Sequence, residues 1–279
     1  MEKDVHDIVD PISKSAVLDG TTLTFSQDID ILEQELMSLE HQVNLNAKTA
    51  AVILAGGSGS RFGREGGKQL LKLAGCPILT WASAAFDAVG DVGLIVIVCP
   101  EERIEEYKRA AVDPYPFVTP IVFAPSGFIR QESSFNGINA IPDTFEYIAL
   151  HDGARPIVTP ALITHAINVL KGSIDLDGVV TGHPSIDTLK VVDANGVIVG
   201  TPDRSRLWNA QTPQVFRAQV CRDAFNVAMA QGFVGTDDSS VLEHNGARIM
   251  FVESPRDNIK VTVPEDLAPV EAALRARHR

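Results

Sequence analysis

The sequence predicts an α/β fold in which a mostly parallel, twisted sheet is covered by helices on both faces. From residue 50 onward, short apolar runs typical of buried strands alternate with segments of helical periodicity. A glycine-rich segment and an aspartate, Asp152, each come directly after one of these apolar runs. Because ligands gather at the carboxyl ends of the strands in such sheets, both segments are predicted to lie at one ligand-binding edge.

The predicted strands and helices follow one another in a regular order. Pro100 is predicted to begin a helix, because proline is tolerated in the first helical turn. The two glutamates after it are favoured there by the helix dipole. Strands are predicted at residues 51–54, 94–98, 120–124, 147–150 and 179–181, and helices from about residue 77, from Pro100, at 132–140 and at 160–170.

A β-hairpin arm is predicted at about residues 186–203, where the alternation stops. Two apolar runs flank Asn195-Gly196, a pair typical of a type I′ turn. An isolated two-stranded arm is marginally stable in water and needs a surface to pack on. The arm could fold back onto its own domain or reach a second subunit.

The chain is predicted to consist of an N-terminal extension, residues 1–48, and one larger domain, residues 49–279. After Ser26, a candidate helix N-cap, apolar side chains recur at spacings of three and four residues. They are Ile29, Leu32, Leu36, Leu39 and Val43. The pattern covers too few turns for a coiled coil and favours a short amphipathic helix that docks on the domain or on a second copy.

Composition excludes several classes of protein. The formal net charge of −12 argues against a nucleic-acid partner held through phosphate contacts. The three cysteines have no paired spacing, so neither a disulfide framework nor a zinc site is indicated. No apolar run approaches membrane-spanning length, and the acidic N-terminus lacks the pattern of a signal peptide. A cytoplasmic protein with no membrane partner is expected.

The segment after residue 54 has the composition of a phosphate-binding loop. Six glycines between residues 56 and 67 allow tight bends that bring backbone N–H groups close to a ligand. Arg61 and Lys68 add the positive charge that a polyphosphate requires. An ordinary strand-to-helix turn is the plain alternative, but the two cations favour a nucleoside triphosphate.

Two familiar phosphate loops do not fit this segment. A P-loop requires Ser or Thr after its Gly-Lys pair, whereas Gln69 follows Lys68. A dinucleotide-binding fingerprint requires a third glycine where Phe62 stands and opens directly into a helix. The loop therefore belongs to another class of nucleotide-binding protein.

The loop, with Lys68-Gln69, resembles the signature loop of nucleotidyltransferases that make diphosphonucleosides of sugars and polyols. Within them the chain is most similar to the 2-C-methyl-D-erythritol 4-phosphate cytidylyltransferase family. Further matching segments are residues 151–156 (His-Asp-Gly-Ala-Arg-Pro), 187–190 (Asp-Thr-Leu-Lys), 203–216, 236–243 (Thr-Asp-Asp-Ser-Ser-Val-Leu-Glu) and 257–262 (Asp-Asn-Ile-Lys-Val-Thr). The resemblance covers residues 50 to about 276.

The resemblance implies a Rossmann-like three-layer nucleotidyltransferase fold and an enzyme of isoprenoid precursor synthesis. Such an enzyme transfers CMP from CTP to 2-C-methyl-D-erythritol 4-phosphate with Mg²⁺, and works as a homodimer joined through the arm. The nearest alternative is a ribitol-5-phosphate cytidylyltransferase that makes CDP-ribitol. A nucleotide-binding module without catalysis and an NAD-dependent oxidoreductase are more distant alternatives.

The resemblance also implies roles for individual residues. Lys68, Lys260 and Arg61 would act on the reacting phosphates, and Asp152 would hold Mg²⁺, although a buried helix-capping aspartate is its plain alternative. The nucleotide would contact Ala55, Gly56, Gly57, Gly59, Arg61, Lys68, Gly127, Ser133, Asp152 and Gly153. The acceptor phosphate would contact Arg155, Thr188, Arg204, Thr236 and Lys260.

The chain departs from the family pattern at two places. Phe128-Ile129 stands where relatives carry polar residues, and Ser60 stands where many carry a second arginine. The first departure lies beside the expected contacts to the base and ribose, so those assignments depend on what Phe128 does.

Overall fold

The computed structural model describes residues 17–18, 21–22, 46–57, 62 and 67–277. Contacts divide the chain into two units, Met1–Val43 and Asn44–Arg279. In the first unit, β1 (Val17–Leu18) pairs antiparallel with β2 (Thr21–Thr22). The amphipathic helix predicted around residues 29–43 lies outside the described residues, as do Gly59, Ser60 and Arg61.

A seven-stranded sheet forms the centre of the second unit. Its strands are β3 (Thr49–Leu54), β6 (Val92–Cys99), β7 (Ile121–Pro125), β8 (Tyr147–Asp152), β9 (Gly178–Pro184), β12 (Trp208–Arg217) and β13 (Ile249–Glu253), in the spatial order β13-β9-β12-β8-β3-β6-β7. All neighbouring pairs are parallel except the two that β12 makes with β8 and β9. The predicted mostly parallel sheet is confirmed, while β12 was not predicted.

Helices cover both faces of this sheet. They are α1 (Ile78–Asp87), α2 (Ile104–Tyr107), α3 (Arg130–Asn139), α4 (Pro160–Lys171), α5 (Ala218–Gln231), α6 (Asp238–His244) and α7 (Leu267–Arg277). Helix α4 begins where the sequence predicts, because Pro160 needs no N–H donor there and the Thr159 hydroxyl accepts from the Leu162 N–H.

Alternate side chains of β3 enter two different apolar cores. Ala51 and Ile53 pack with residues of α1 and α4, whereas Val52 and Leu54 pack with residues of α3, α5 and α6. A strand buried on both faces reads as a continuous apolar run, and residues 50–54 have that composition. The α/β architecture predicted from the sequence is therefore confirmed.

A third core lies beside the end of the sheet. Val270 and Leu274 of α7 pack against Ile78, Ile157 and Val261. The short strands β4 (Lys72–Leu73) and β5 (Cys76–Pro77) form an antiparallel pair at this core. The core anchors Val261, which directly follows Lys260 in the chain.

The arm is present as two short antiparallel strands, β10 (Val191–Val192) and β11 (Ile198–Gly200). Its turn is not type I′, which requires positive φ at both central residues. Gly196 has a φ of 80°, but Asn195 does not have a positive φ. The Asp193 carboxylate instead accepts hydrogen bonds from the N–H groups of Asn195 and Val197, each at 2.9 Å, which holds a wider turn with glycine at its end.

A search of the described residues found no helix that is both long and apolar enough to cross a membrane.

Candidate active site

A cleft of about 490 Å³ opens at the carboxyl ends of β3 and β8, the edge that the topology predicts for a ligand. Seven of the residues predicted from the sequence line it together: Gly56, Gly57, Lys68, Gly127, Ser133, Asp152 and Lys260. They come from the loops after β3 and β7, from helix α3, from the end of β8 and from the segment after β13. The sheet therefore brings together segments that lie far apart in the sequence.

Asp152, the last residue of β8, is surrounded by three cationic side chains. Its Oδ2 lies 2.9 Å from Lys260 Nζ and 3.3 Å from Arg155 Nε, and its Oδ1 lies 3.4 Å from Arg130 Nη2. Burial alone would raise the pKa of this carboxyl, but the charges of Arg130, Lys260 and Arg155 outweigh burial and hold the pKa well below its usual range. Asp152 is therefore a fixed negative charge at the base of a positively charged cleft.

His151 is fully buried beside Asp152 and has a structural hydrogen-bonding role. Its Nε2 lies 3.3 Å from the Arg155 carbonyl oxygen, which can only accept, so Nε2 carries the proton. The Thr212 hydroxyl, 3.0 Å from Nδ1, then donates to that nitrogen. Burial lowers the pKa of His151 to about 4, so the ring is neutral at pH 7.

Thr212 of β12 also fixes the position of Asp152. Its hydroxyl oxygen accepts from the Asp152 N–H at 3.0 Å while the hydroxyl proton goes to His151. The sequence analysis did not identify this residue, although it lies in the matching segment 203–216. Its role depends on the antiparallel insertion of β12 next to β8, which was not predicted.

The segment that carries Lys260 is anchored to the strand ends on both sides of the lysine. The Val261 N–H donates to the Ala154 carbonyl oxygen at 2.8 Å. The Asn258 side-chain amide donates to the Gln211 side-chain oxygen at 3.1 Å and to the Thr212 carbonyl oxygen at 2.9 Å. The backbone at residue 260 is thus held in place, and Lys260 extends from it into the cleft.

Arg130 is a cleft residue that sequence reasoning missed. It begins α3 and joins Asp152 to Asp238 of α6, with Nη2 2.7 Å from Asp238 Oδ2. The Ser134 hydroxyl donates to the other oxygen of Asp238 at 2.6 Å, so this buried carboxylate is paired on both oxygens. The sequence signal for Arg130 was its place between Gly127 and Ser133, two residues predicted to contact the nucleotide. Its partner Asp238 lies 108 residues further along the chain, so the pairing itself left no local signal.

Two glycines of the cleft are required by close approach of the backbone. A Cβ built on Gly56 would lie 2.3 Å from the Ser126 Cβ, and one built on Gly127 would lie 2.2 Å from the Glu132 Cβ. No side chain larger than hydrogen fits at either place unless the loops move apart. Gly56 lets the chain after β3 pack against the chain after β7, and Gly127 lets the latter turn closely against the start of α3.

Lys68 lies at the described end of the glycine-rich loop and is largely buried. Its neighbour Gln69 places Nε2 at 3.5 Å from the Gly57 carbonyl oxygen, which links the two ends of the loop. Gly59 and Arg61, which the sequence also assigns to the triphosphate, lie outside the described residues.

The remaining predicted residues do not line the cleft. The Ala55 N–H donates to the Val98 carbonyl oxygen at 2.7 Å, and the Gly153 N–H donates to the Leu54 carbonyl oxygen at 2.9 Å. The N–H groups of Ala55 and Gly153 are therefore engaged within the protein. A nucleotide contact of Ala55 or Gly153 would therefore use other atoms of these residues, and both assignments stay predictions.

The residues expected to contact the acceptor phosphate are spread over three regions. Arg155 is largely buried and donates to the Asn258 carbonyl oxygen at 2.7 Å besides contacting Asp152. Thr188 and Arg204 are exposed at the two sides of the arm, and Thr236 is exposed before α6. Asp237 rather than Thr236 caps that helix, since its carboxylate accepts from the Ser240 N–H at 2.9 Å.

The donor set of the cleft suits a metal that is held mainly by a substrate. Among the described residues, no group of three or more His, Cys, Asp or Glu side chains could hold a metal ion. Asp152 is the one carboxylate among the described lining residues, and its lowered pKa keeps it ionised. Mg²⁺ often takes one or two carboxylates and fills its other positions with phosphate oxygens and water.

The family comparison identifies one family over nearly all of the second unit. A family model described as 2-C-methyl-D-erythritol 4-phosphate cytidylyltransferase matches residues 49–276. A protein of that name from Caldanaerobacter subterraneus subsp. tengcongensis is 38% identical over 226 residues, which cover 81% of this chain and 98% of the relative. One from Syntrophotalea carbinolica is 39% identical over 224 residues, covering 80% of this chain and 94% of the relative.

Solved structures agree with the sequence comparison. The crystal structure of 4-diphosphocytidyl-2C-methyl-D-erythritol synthase from Anaerococcus prevotii matches with a TM-score of 0.72 at 26% identity, covering 82% of this chain and 99% of that one. The 2-C-methyl-D-erythritol 4-phosphate cytidylyltransferase of Francisella tularensis matches with a TM-score of 0.69 at 26% identity, covering 81% of this chain and all of that one.

Proposed function

Because the chain belongs to the 2-C-methyl-D-erythritol 4-phosphate cytidylyltransferase family, it transfers CMP from CTP to that polyol phosphate, and we propose that the cleft around Asp152 is where it does so. The products are 4-CDP-2-C-methyl-D-erythritol and pyrophosphate, in the non-mevalonate route to isoprenoid precursors. The observation that carries the site is the convergence of Arg130, Arg155 and Lys260 on one buried carboxylate.

The reaction requires charge neutralisation more than proton transfer. A phosphate oxygen of the acceptor attacks the α-phosphorus of CTP, and a new P–O bond forms. The bond between that phosphorus and the bridging oxygen breaks, and the oxygen leaves with its electron pair as part of pyrophosphate. Since the nucleophile is already an anion, positioned cations are the main catalytic requirement.

Lys68 and Lys260 supply two of these cations from opposite parts of the chain. Both side chains line the same cleft, although they stand 192 positions apart in the sequence. We assign Lys68 to the β- and γ-phosphates of CTP and Lys260 to the reacting phosphates. Arg61, in the same loop as Lys68, is proposed to join them on the triphosphate.

Asp152 is the proposed ligand for Mg²⁺. One ionised carboxylate at the base of the cleft fits a metal that takes its other ligands from the triphosphate and water. When bound, the metal would neutralise phosphate charge. The residues of this chain hold the carboxylate ready: Thr212 fixes its backbone, and Arg130 and Arg155 fix its side chain.

The uncharged end of the cleft is proposed to receive the cytosine. Gly56, Gly57 and Gly127 expose backbone there, and the Ser133 hydroxyl shapes the loop by accepting from the Gly127 N–H at 3.0 Å. Arg155, Thr188, Arg204 and Thr236 are proposed for the acceptor, as the family resemblance implies.

A homodimer joined through the arm is proposed because the arm carries an apolar surface that the described part of its own subunit leaves exposed. Six of its apolar side chains are more than half exposed: Ile186, Val191, Val192, Val197, Ile198 and Val199. A two-stranded hairpin with such a surface needs packing for stability. In this dimer, Thr188 and Arg204 of one subunit serve the site of the other.

The function is tested by measuring pyrophosphate release from CTP with each candidate acceptor. The wild-type protein is expected to prefer 2-C-methyl-D-erythritol 4-phosphate, the acceptor in the names of its relatives, strongly over ribitol 5-phosphate. Equal or greater turnover with ribitol 5-phosphate would overturn this assignment.

The site is tested with Lys68→Ala, because removing a cation from the triphosphate should lower kcat by about a thousandfold or more. Lys72→Ala, at an exposed lysine four residues later, is the matched control and should leave kcat unchanged. A Lys68→Ala variant with near-normal turnover would remove this lysine from catalysis.

A further inference from the structure

Phe128 stands at the wall of the cleft with its side chain fully exposed to solvent. It is the one aromatic residue among the described residues that line the cleft. Single exposed apolar residues are common on protein surfaces and need no explanation by themselves. Phe128 differs because it belongs to the lining of a ligand-binding cleft, with its ring exposed at the edge.

The backbone that carries this ring is held firmly in place. The Phe128 N–H donates to the Glu132 carboxylate at 2.7 Å, and the Gly127 N–H donates to the Ser133 hydroxyl at 3.0 Å. The Ser133 hydroxyl in turn donates to the Ile129 carbonyl oxygen at 3.2 Å. These three bonds fix the position of the Phe128 Cα, while the ring itself is fully exposed among the residues that the structure describes.

The charges of the cleft determine which part of a nucleotide would meet Phe128. Of the described lining cations, Arg130 and Lys260 lie beside Asp152, and Lys68 lines the same cleft, where the triphosphate is placed. The segment Gly127-Phe128-Ile129 has no charged side chain. A nucleotide with its phosphates on the cations therefore has its base on the side of residues 127–129.

We propose that the Phe128 ring stacks on the base of the bound nucleotide and forms one wall of the base site. Every base has a π-face, so an aromatic side chain that stacks on it adds affinity whichever base is bound. Stacking also removes the exposed phenyl ring from water. Phe128 thus contributes to the affinity for CTP, and backbone groups contribute to the choice of base.

This inference rests on the proposed placement of CTP in the cleft, so the experiment separates the two. The variant Phe128→Leu keeps an apolar side chain but removes the aromatic face. Its affinity for CTP and for inorganic tripolyphosphate, which has no base, is measured by calorimetry. We expect CTP binding to weaken by about tenfold and tripolyphosphate binding to stay unchanged.

Two further variants complete the test. Phe128→Trp restores an aromatic face, so it should bind CTP as well as the wild type, and its added fluorescence should be quenched by CTP but not by tripolyphosphate. Ile174→Ala, at another highly exposed apolar side chain away from the cleft lining, should bind both ligands normally.

The outcomes distinguish the inference from its premise. Unchanged CTP affinity in Phe128→Leu, or an equal loss for both ligands, overturns the stacking role. If Lys68→Ala leaves tripolyphosphate binding intact, the placement of the triphosphate is wrong instead. A Phe128→Leu change that alters the oligomeric state of the protein, measured by sedimentation, would assign the ring to an interface and also overturn the proposal.

Discussion

The cleft and the arm place opposite kinds of side chain in opposite environments. In the cleft, charged groups such as Asp152, Arg155 and Asp238 are largely buried and paired with one another. In the arm, apolar groups such as Val192 and Ile198 stand in solvent on two short strands. A buried charge and an exposed apolar side chain are both unfavourable when isolated. Each is therefore expected to have a partner that offsets its cost.

The difference shows how each region becomes stable. Buried charges are tolerated in the cleft because ion pairs and hydrogen bonds from several strands compensate for lost hydration. The arm has no comparable internal compensation, since a two-stranded hairpin buries little apolar surface by itself. The buried charges around the cleft are paired within one subunit, whereas the exposed apolar side chains of the arm would need a further surface to be buried.

The largest expected effect comes from removing a cation from the cleft. Lys260→Ala should lower kcat by about a thousandfold, roughly 4 kcal/mol in the activation barrier, because charge stabilisation at the reacting phosphates is lost. Folding should persist, since Arg130 and Arg155 still pair with Asp152. Steady-state kinetics measures the change, with the exposed Arg256→Ala as a matched control in the same segment. A loss of only a few-fold would separate Lys260 from the chemistry.

The second prediction concerns the stability of the cleft against acid. His151 binds its proton in the unfolded chain near pH 6.5, but in the folded protein only near pH 4. The unfolded state therefore binds more protons between these values, and the free energy of unfolding should fall by roughly 3 kcal/mol as the pH falls from 6.5 to 4. Urea unfolding at fixed protein concentration measures this.

His151→Gln is the matched variant for that measurement. Its stability should be lower than that of the wild type at neutral pH, and the dependence of stability on pH between 6.5 and 4 should become much flatter. Asp152 adds little in this window, because its lowered pKa affects stability only as the carboxyl of the unfolded chain, with a pKa of about 3.9, begins to take up its proton. An unchanged pH dependence in the variant would show that another group titrates.

The third prediction concerns the exposed apolar surface of the arm. Val192 and Ile198 lie opposite each other on its two strands, so Val192→Lys with Ile198→Lys puts two charges on the proposed contact surface. We expect the dimer to weaken by about thirtyfold, roughly 2 kcal/mol, because these charges would lose hydration in the interface. Sedimentation over a range of concentrations measures this. A dimer of unchanged strength would show that the arm does not form the contact.

The smallest expected effect joins the two regions. Arg204→Ala should raise the KM for the acceptor by about tenfold, since a charged hydrogen bond to its phosphate is lost, and leave the KM for CTP unchanged. Arg206→Ala, two residues along, is the control. Equal changes in both KM values would argue against a role in acceptor binding.

A mixing experiment shows in which subunit Arg204 acts. If the arm serves the neighbouring site, a mixed dimer of Arg204→Ala and Lys260→Ala subunits contains one site with both native residues. Activity should then reappear when the two weakened variants are mixed and their subunits are allowed to exchange between dimers. No recovery despite measured exchange would place Arg204 and Lys260 of the same subunit in one site.

The sequence predicted the strands that carry the site but not all the contacts between them. The run before the glycine-rich loop and the strand before Asp152 follow from local composition, which a single segment contains. Arg130 and Asp238 were missed because their pairing joins residues 108 positions apart, and no local pattern encodes such a contact. The turn of the arm was mispredicted because the Asp193 carboxylate accepts hydrogen bonds from the N–H groups of Asn195 and Val197. These bonds hold a wider turn than the two-residue type I′ turn.

The sequence by itself determined the alternation of strands and helices, the phosphate-binding composition of the loop and, through its motifs, the family. These are properties of short segments, since apolar periodicity and glycine content act locally. Tertiary structure alone decided that β12 enters antiparallel beside β8, that Thr212 holds both His151 and Asp152, and that three cations meet at one carboxylate. Burial makes these contacts decisive, because a charge removed from water is stable only where distant segments bring it a partner.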